Sequence, residues 1–596
     1  MKSRALTAGL LAAIMLAGGW LRFDRIRETS PFLWDDAIHH LEAVWLGDAL
    51  HFLRTSVELK RAEARGGGDL WTWEGERHRF HQTVGGIPPR FGRPGHMVLV
   101  TAAMAAVGPV PWAGPLVAAS CGTLSIAALF ALVLGARRND REAPVIALLA
   151  AAFLAFDPLS VRLSREGLAD ADGAFFALLA IGAYVRARRP GMGLAPTALA
   201  GLLAGFSFTV QTRNFLVVAM LAGWELAPGA LSAGRRVGER TRRAATLLAC
   251  AALFPVLCEL PYYGALLIGR AHGIAPQVRS YVLQVIGIFA NHHYAKRDYV
   301  QASGLANLAS YPSLFHSLAG SWLPQLVALG GLAVVQRQAL ARHGEERAAR
   351  LVPLTWLIGT FLFLSVTAPL GRYASLFVPA LAWVSAEGLA AALRRARVRG
   401  PTPSGDGHGH SPAQRLFSRR LAATWLVAGT IALGIQARAG ALESGVAEPG
   451  YAAAVAWMRA HGGPRHVTTT PYVSQVWAGV GEAEFLPGTE SELAKLVESG
   501  HRHLLVDLIR NFFLGPFSAK GEVLKQVAAR CPLAATFPNT WAERPEYLFE
   551  FNYDVRETWH RIESAHADRS GEIEIYDLAA CSPPFAATSP ELPAEP

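Results

Sequence analysis

Residues 137–187 read RRNDREAPVIALLAAAFLAFDPLSVRLSREGLADADGAFFALLAIGAYVRA. An arginine cluster is followed by an apolar run at 143–157, a short polar turn ending in Asp170-Ala171-Asp172, and a second apolar run at 173–187. Runs of this kind suit a hydrocarbon solvent, in which about 20 helical residues cross a core of roughly 30 Å. Positive charge collects on the cytoplasmic side of such helices. The Arg137-Arg138-Asn139-Asp140-Arg141 turn is therefore cytoplasmic, and the turn carrying the two aspartates opens on the outer face.

Similar runs recur along most of the chain. Hydrophobic residues make up 52% of it and charged residues 17%, against about 25% charged in soluble domains. The composition excludes a disordered chain, a secreted disulfide scaffold and a large cytosolic enzyme. The pattern predicts a polytopic α-helical membrane protein with eleven spans. The first is the run after Met1-Lys2-Ser3-Arg4, read as a retained span rather than a cleaved signal. The others lie at 115–135, 143–157, 173–187, 194–211, 214–228, 244–266, 316–336, 351–367, 373–393 and 420–437. The apolar stretch His96–Val110 is read as a short embedded helix of the first external loop (22–114), because a crossing there would put the arginine cluster outside. The segments assigned to the cytoplasm, including the polar linker 394–420, hold 24 Lys and Arg against 6 Asp and Glu. That surplus exceeds the whole chain's net charge of +10, so the basic balance reflects orientation in a membrane and implies no nucleic-acid partner.

An odd number of spans from a cytoplasmic start puts residues 438–596 outside, or in the periplasm of a cell with two membranes. Residues 1–437 then form the transmembrane module of a multi-pass plasma or inner membrane protein. In the tail, Tyr451–His461 and Glu490–Ser499 have helical periodicity, while 466–470 and His503–Asp507 read as strands. Their alternation predicts a small α/β domain. Its only cysteines, Cys531 and Cys581, can pair in an oxidising compartment.

Ionisable groups at the outer ends of apolar spans are the informative ones, since they are costly there unless used or paired. In a helix begun at Trp34, Asp35, His39 and Glu42 share one face and Asp36 and His40 the next. Two carboxylates beside two imidazoles can supply a general base or metal ligands, or form the solvated face of a capped amphipathic helix. Asp170 and Asp172 face the same side as Asp35 and Asp36, and such a concentration of like charge calls for a cation or a cationic substrate. Arg93, His96, Arg213 and Arg372 also fall on that face. Guanidinium groups suit forked binding of phosphate, a role expected of Arg372, whereas Arg213 reads as an interfacial, snorkelling residue. The mixed basic and aromatic loop Asn291–Tyr299 and the pair His408 and His410 read as ordinary solvated segments.

These residues fall into a known order. The chain resembles the GT-C integral membrane glycosyltransferases, and within them glycosyltransferase family 39, which includes protein O-mannosyltransferases and the lipid A aminoarabinose transferase. Trp34-Asp35-Asp36-Ala37 resembles the family's Asp-Glu motif, with Asp36 where Glu is usual. Arg93-Pro94-Gly95-His96 resembles its Lys/His-Pro-Pro motif, with Gly95 replacing the second proline. Ser164-Arg165, Asp170 and Phe175-Phe176 fit a Ser-Arg-x4-Asp-x4-Phe-Phe pattern, and Arg372-Tyr373 with Pro379 a late Arg-Tyr-x5-Pro segment. The resemblance covers roughly residues 1–395. It implies inverting transfer of a sugar from a polyprenyl-phosphate donor, at the outer membrane face, to a glycan, lipid or protein acceptor. Asp35 is then the expected general base, helped by Asp36 and Asp170. Arg93, Arg165 and Arg372 are expected on the donor phosphate, with His39, His96 and Asp172 as acceptor or accessory groups. No cofactor is required by the pattern. Some relatives use a divalent cation such as Mg or Mn, and here Asp36, Asp170 and Asp172 would hold it.

Two other readings compete. A transporter would place its carboxylates at mid-bilayer among paired interrupted helices in related halves, and neither feature is found in the sequence. A non-catalytic, membrane-anchored binding protein would have no use for Asp35, Asp170 and Arg372 together.

Overall fold

The computed structural model describes residues 2–28, 34–63, 93–138, 140–189, 191–227, 236–260, 330–337, 344–365, 375–398, 434–438, 450–507, 519–539 and 571–583, with a few isolated positions besides. The helices of its first part are α1 Lys2–Phe23, α2 Trp34–Glu63, α3 Pro94–Val107, α4 Ala113–Ala136, α5 Ala143–Phe156, α6 Pro158–Leu163, α7 Asp170–Ala187, α8 Ala195–Val210, α9 Phe215–Leu226, α10 Val237–Leu257, α11 Gly344–Ser365 and α12 Phe377–Val398. Nine of the eleven expected spans coincide with one of these helices. The stretches 316–336 and 420–437 lie largely outside the described residues, as do the loop at 291–299 and most of the linker 394–420.

Among the described residues, α1 and α4 are long and apolar enough to cross a membrane by length and composition; α3, α5 and α8 are apolar but shorter. The 12 residues of α9 rise about 18 Å, less than a hydrocarbon core. The helices pack as a bundle in which α4 lies between α1, α5 and α7, α8 between α7 and α10, and α12 against α5 and α11. Their shared interior is rich in alanine, including Ala147, Ala150, Ala177, Ala180, Ala204 and Ala386. Small residues let backbones approach where hydrocarbon offers no hydrophobic drive to associate. Gly201 and Gly205, one turn apart on α8, take this furthest: a Cβ on either would overlap a backbone carbonyl of α10, that of Leu247 or Ala251. On the outside, Leu6, Leu16, Leu199, Val256 and Leu362 are each at least half exposed. Large apolar side chains distributed around a bundle in this way suit a lipid solvent.

In the tail, helices and strands alternate, and the expected helices at 451 and 490 and strands at 466 and 503 are accompanied by others. Helices α13 Tyr451–Ala460, α14 Pro471–Ala478, α15 Glu490–Glu498 and α16 Ala519–Arg530 accompany strands β1 His466–Thr468, β2 Ala483–Phe485, β3 His503–Asp507, β4 Leu533–Asn539 and β5 Gly571–Asp577. The sheet order is β2-β1-β3-β5-β4. β1 is parallel to β2 and β3, and β5 is antiparallel to both β3 and β4. A disulfide joins Cys531, just after α16, to Cys581, just after β5, while Cys121, Cys250 and Cys258 are free. The tail also touches the first module: α2 lies against α14, and Ala37 is fully buried in a cluster with Tyr451, Val473 and Leu505.

Candidate functional site

Asp170 opens α7 and is fully buried. Its Oδ1 accepts from Arg213 Nη2 at 2.9 Å and from Gln211 Nε2 at 3.1 Å. The helix N-terminus adds partial positive charge. Both partners come from the polar turn between α8 and α9, which has the sequence Gln211-Thr212-Arg213-Asn214 and is buried throughout. Arg213 is therefore the counter-ion of Asp170 and not the snorkelling residue expected from its position. A buried guanidinium needs a carboxylate, and α7 supplies one. The second oxygen of Asp170, Oδ2, is buried without a hydrogen-bond partner among the described residues. Asp170 also lines a small cleft together with Ser160, Ser164, Ser375 and Pro379.

Two residues further along α7, Asp172 turns to a different partner. Residues i and i+2 of a helix point about 200° apart, so the two carboxylates do not share a ligand. Asp172 Oδ2 lies 2.7 Å from His96 Nδ1, and His96 Nε2 lies 3.1 Å from the carbonyl of Gly167, both side chains being fully buried. Here the departure from a second proline in Arg93-Pro94-Gly95-His96 has its physical reason. A Cβ at Gly95 would stand 2.7 Å from Thr209 Oγ1 and 2.8 Å from Val210 N, so the start of α3 packs on the end of α8 with no room for a ring.

Trp34 begins α2, so the helical arrangement expected from Asp35 to Glu42 is realised. His39 is the hub of this segment. Arg93 Nη1 donates to His39 Nε2 at 3.0 Å, which puts the ring proton on Nδ1, and that proton is directed at Glu42 Oε2 at 3.3 Å. Burial, and with it the nearby Arg93 charge, lowers the His39 pKa against the opposing pull of Glu42. Burial alone pushes His40 down to about 4. The His39 ring meets the His96 ring edge to face at 5.2 Å. Asp36 is buried next to the turn before α7, where a Cβ built on Gly167 would lie 3.8 Å from the Asp36 Cβ. Residues 34–42, 93–96 and 164–172 thus meet at one end of the bundle, joined through two histidines.

Two further groups have partners that the sequence does not suggest. Arg165 Nη1 donates to the carbonyls of Leu21, Arg22 and Asp24 at 3.1, 3.3 and 2.7 Å, and so caps the C-terminal end of α1. Carbonyls at a helix C-terminus lack partners within the helix and carry its negative end, so one arm of this guanidinium is held by α1. Beneath it, the fully buried Arg22 donates to Ser160 Oγ, Ser164 Oγ and the carbonyls of Gly18, Leu154 and Ala155. The metal set Asp36, Asp170 and Asp172 is likewise not assembled: no group of three or more His, Cys, Asp or Glu side chains able to hold a metal ion is found among the described residues. The excess acidic charge is met by protein donors, Arg213 and Gln211 for Asp170 and His96 for Asp172. Arg372 and Tyr373 lie outside the described residues, as does the side chain of Asp35. Sequence reasoning missed Gln211 and the true place of Arg213. The available signal was four consecutive polar residues between two apolar helices.

No protein-family model matches the sequence, and no curated protein sequence matches it. Solved structures do. The fold is similar to that of the oligosaccharyltransferase of Archaeoglobus fulgidus in its apo form, at TM-score 0.53 and 14% identity over 86% of this chain and 71% of that one. The same enzyme in complex with Zn and sulfate aligns at TM-score 0.55 and 14% identity, over 85% and 68%. ArnT from Cupriavidus metallidurans bound to undecaprenyl phosphate aligns at TM-score 0.52 and 14% identity, over 89% and 96%. The chain has the GT-C glycosyltransferase fold.

Proposed function

We propose that the protein is a membrane glycosyltransferase that moves a sugar from a polyprenyl-phosphate donor to an acceptor hydroxyl or amine at the outer face of the membrane, with inversion. The observation that carries this reading is the meeting of three segments distant in sequence, at 34–42, 93–96 and 164–172, through the Arg93–His39 and His96–Asp172 contacts. The likeness of fold to ArnT, a structure bound to undecaprenyl phosphate, supports the class of donor.

In this reading the acceptor oxygen or nitrogen attacks the anomeric carbon from the side opposite the phosphate. The bond from that carbon to the phosphate oxygen breaks, and polyprenyl phosphate leaves with the electron pair. Asp35 takes the acceptor's proton. Arg93 meets the charge growing on the leaving phosphate, with Arg372 as its partner in that role. Neutral His39 accepts from one arm of the Arg93 guanidinium and fixes its direction. The unpartnered Oδ2 of Asp170 is the acceptor-orienting group, its charge held by Arg213. No step is assigned to a metal, because Asp36, Asp170 and Asp172 do not converge.

Transfer assayed with purified protein and a polyprenyl-phosphate sugar tests this. Asp35→Asn preserves size and removes the base, and should abolish turnover while the protein is still recovered folded; Arg93→Ala should raise the KM for the donor. Near wild-type turnover by Asp35→Asn would overturn the assignment of the base.

A further inference from the structure

His96 carries a signal that its neighbours do not. Its two ring nitrogens face only acceptors, Asp172 Oδ2 at 2.7 Å and the Gly167 carbonyl oxygen at 3.1 Å. A carbonyl cannot donate, so Nε2 bears a proton. Nδ1 then either donates to a carboxylate or accepts from a carboxylic acid, and in both cases one further proton lies between ring and carboxyl. Taken together the pair has no net charge, which suits two fully buried side chains. Asp172 Oδ1 has no hydrogen-bond partner among the described residues, so the bond to His96 is what holds this carboxyl.

The placement gives the pair its purpose. His96 is the third residue of α3, whose N-cap is Arg93. Asp172 is the third residue of α7, whose first is Asp170, and Gly167 lies in the turn leading into α7. A single imidazole thus ties the start of α3 both to the first turn of α7 and to the turn before it. We propose that His96 and Asp172 are positioning residues that set Arg93 against Asp170 by sharing this proton, and that neither touches the sugar or the phosphate. The proposal rests on the glycosyltransferase reading for its effect on turnover, but not for its geometry.

The distinction is testable because Asp172→Asn can keep the clamp. The Asn amide donates to Nδ1 of a neutral His96, and Nε2–H still reaches Gly167. Asp172→Ala and His96→Ala cannot form it; should Asp172→Ala not be recovered folded, Asp172→Leu replaces it, having volume but no polar atom. The expected result is that Asp172→Asn stays within about threefold of wild-type kcat/KM. The Ala variants should raise the KM for the polyprenyl-phosphate sugar roughly tenfold or more, with kcat changed less. Asp172→Asn as impaired as Asp172→Ala would overturn the proposal in favour of a direct chemical role for the carboxylate, and so would an unchanged donor KM in the Ala variants. Thermal unfolding of the same purified proteins needs no substrate. The Ala variants should melt below the wild type and Asp172→Asn alongside it; equal melting of Asn and Ala variants would overturn the clamp. If the wild type turned over no such donor, the functional reading would fail and the melting comparison would still decide the clamp.

Discussion

At the residue scale the instructive case is Arg213. Its position at the end of an apolar helix suggests a side chain reaching for the interface, yet it is buried 2.9 Å from Asp170. Removing one member of a buried pair leaves the other charge uncompensated, at a cost of about 3–5 kcal/mol, more than the pair itself is worth against an apolar replacement. Arg213→Leu should therefore lower the melting temperature strongly, and addition of Asp170→Asn to it should recover part of the loss. A double-mutant cycle on purified protein reads this directly. Strictly additive losses would mean that the two side chains do not interact. The pairing is not legible in the sequence, from which a shared membrane face is expected for these groups but not which of them touch. Asp36, His39, His96, Asp170 and Asp172 are all legible as candidates, since each is a charged or titratable residue in an otherwise apolar chain. Their partners are not. The contacts of Arg165 are hidden for the same reason: sequence gives no sign that the end of α1 passes beside it.

At the scale of elements, apolar runs and breaker residues locate most of the helices, and alternation locates β1 and β3 among the five described strands of the tail. What they leave open is strands β2, β4 and β5, which the alternation does not mark, and how closely two helices approach. On α8, Gly201 and Gly205 meet α10 with no space for a side chain, and such a contact separates helices when a methyl group is added. Gly205→Ala should destabilise the bundle by about 1–3 kcal/mol, the usual cost of overpacking. Gly182→Ala, with nothing within 4 Å of its Cβ, provides the matched control. Comparable melting of the two variants would show that α8 and α10 are not in close contact. The same reasoning explains Gly95, whose lack of a side chain lets α3 rest on α8 and brings Arg93 to the site.

At the scale of the whole molecule, the tail and the bundle are joined through α2, which carries Asp35, Asp36 and His39 and buries Ala37 against the tail. The order of the tail therefore bears on the site. Its disulfide closes a loop with a sequence separation of 50, for which chain entropy gives a stabilisation of about 4 kcal/mol. Reduction, or Cys531→Ser with Cys581→Ser, should lower the melting temperature of the tail and weaken transfer through α2. Unchanged unfolding in reductant would show that the bond contributes no stability.

If the protein works as proposed, a polyprenyl phosphate is handled at the end of the bundle where α2, α3 and α7 meet. Native mass spectrometry of the protein released from its membrane addresses this most directly, since the lipid is identified by its mass whatever the sugar and the acceptor are. A polyprenyl phosphate, free or glycosylated, should co-purify, with occupancy that falls in Arg93→Ala. Bound phospholipid alone, or a polyprenyl phosphate retained equally by Arg93→Ala, would contradict it.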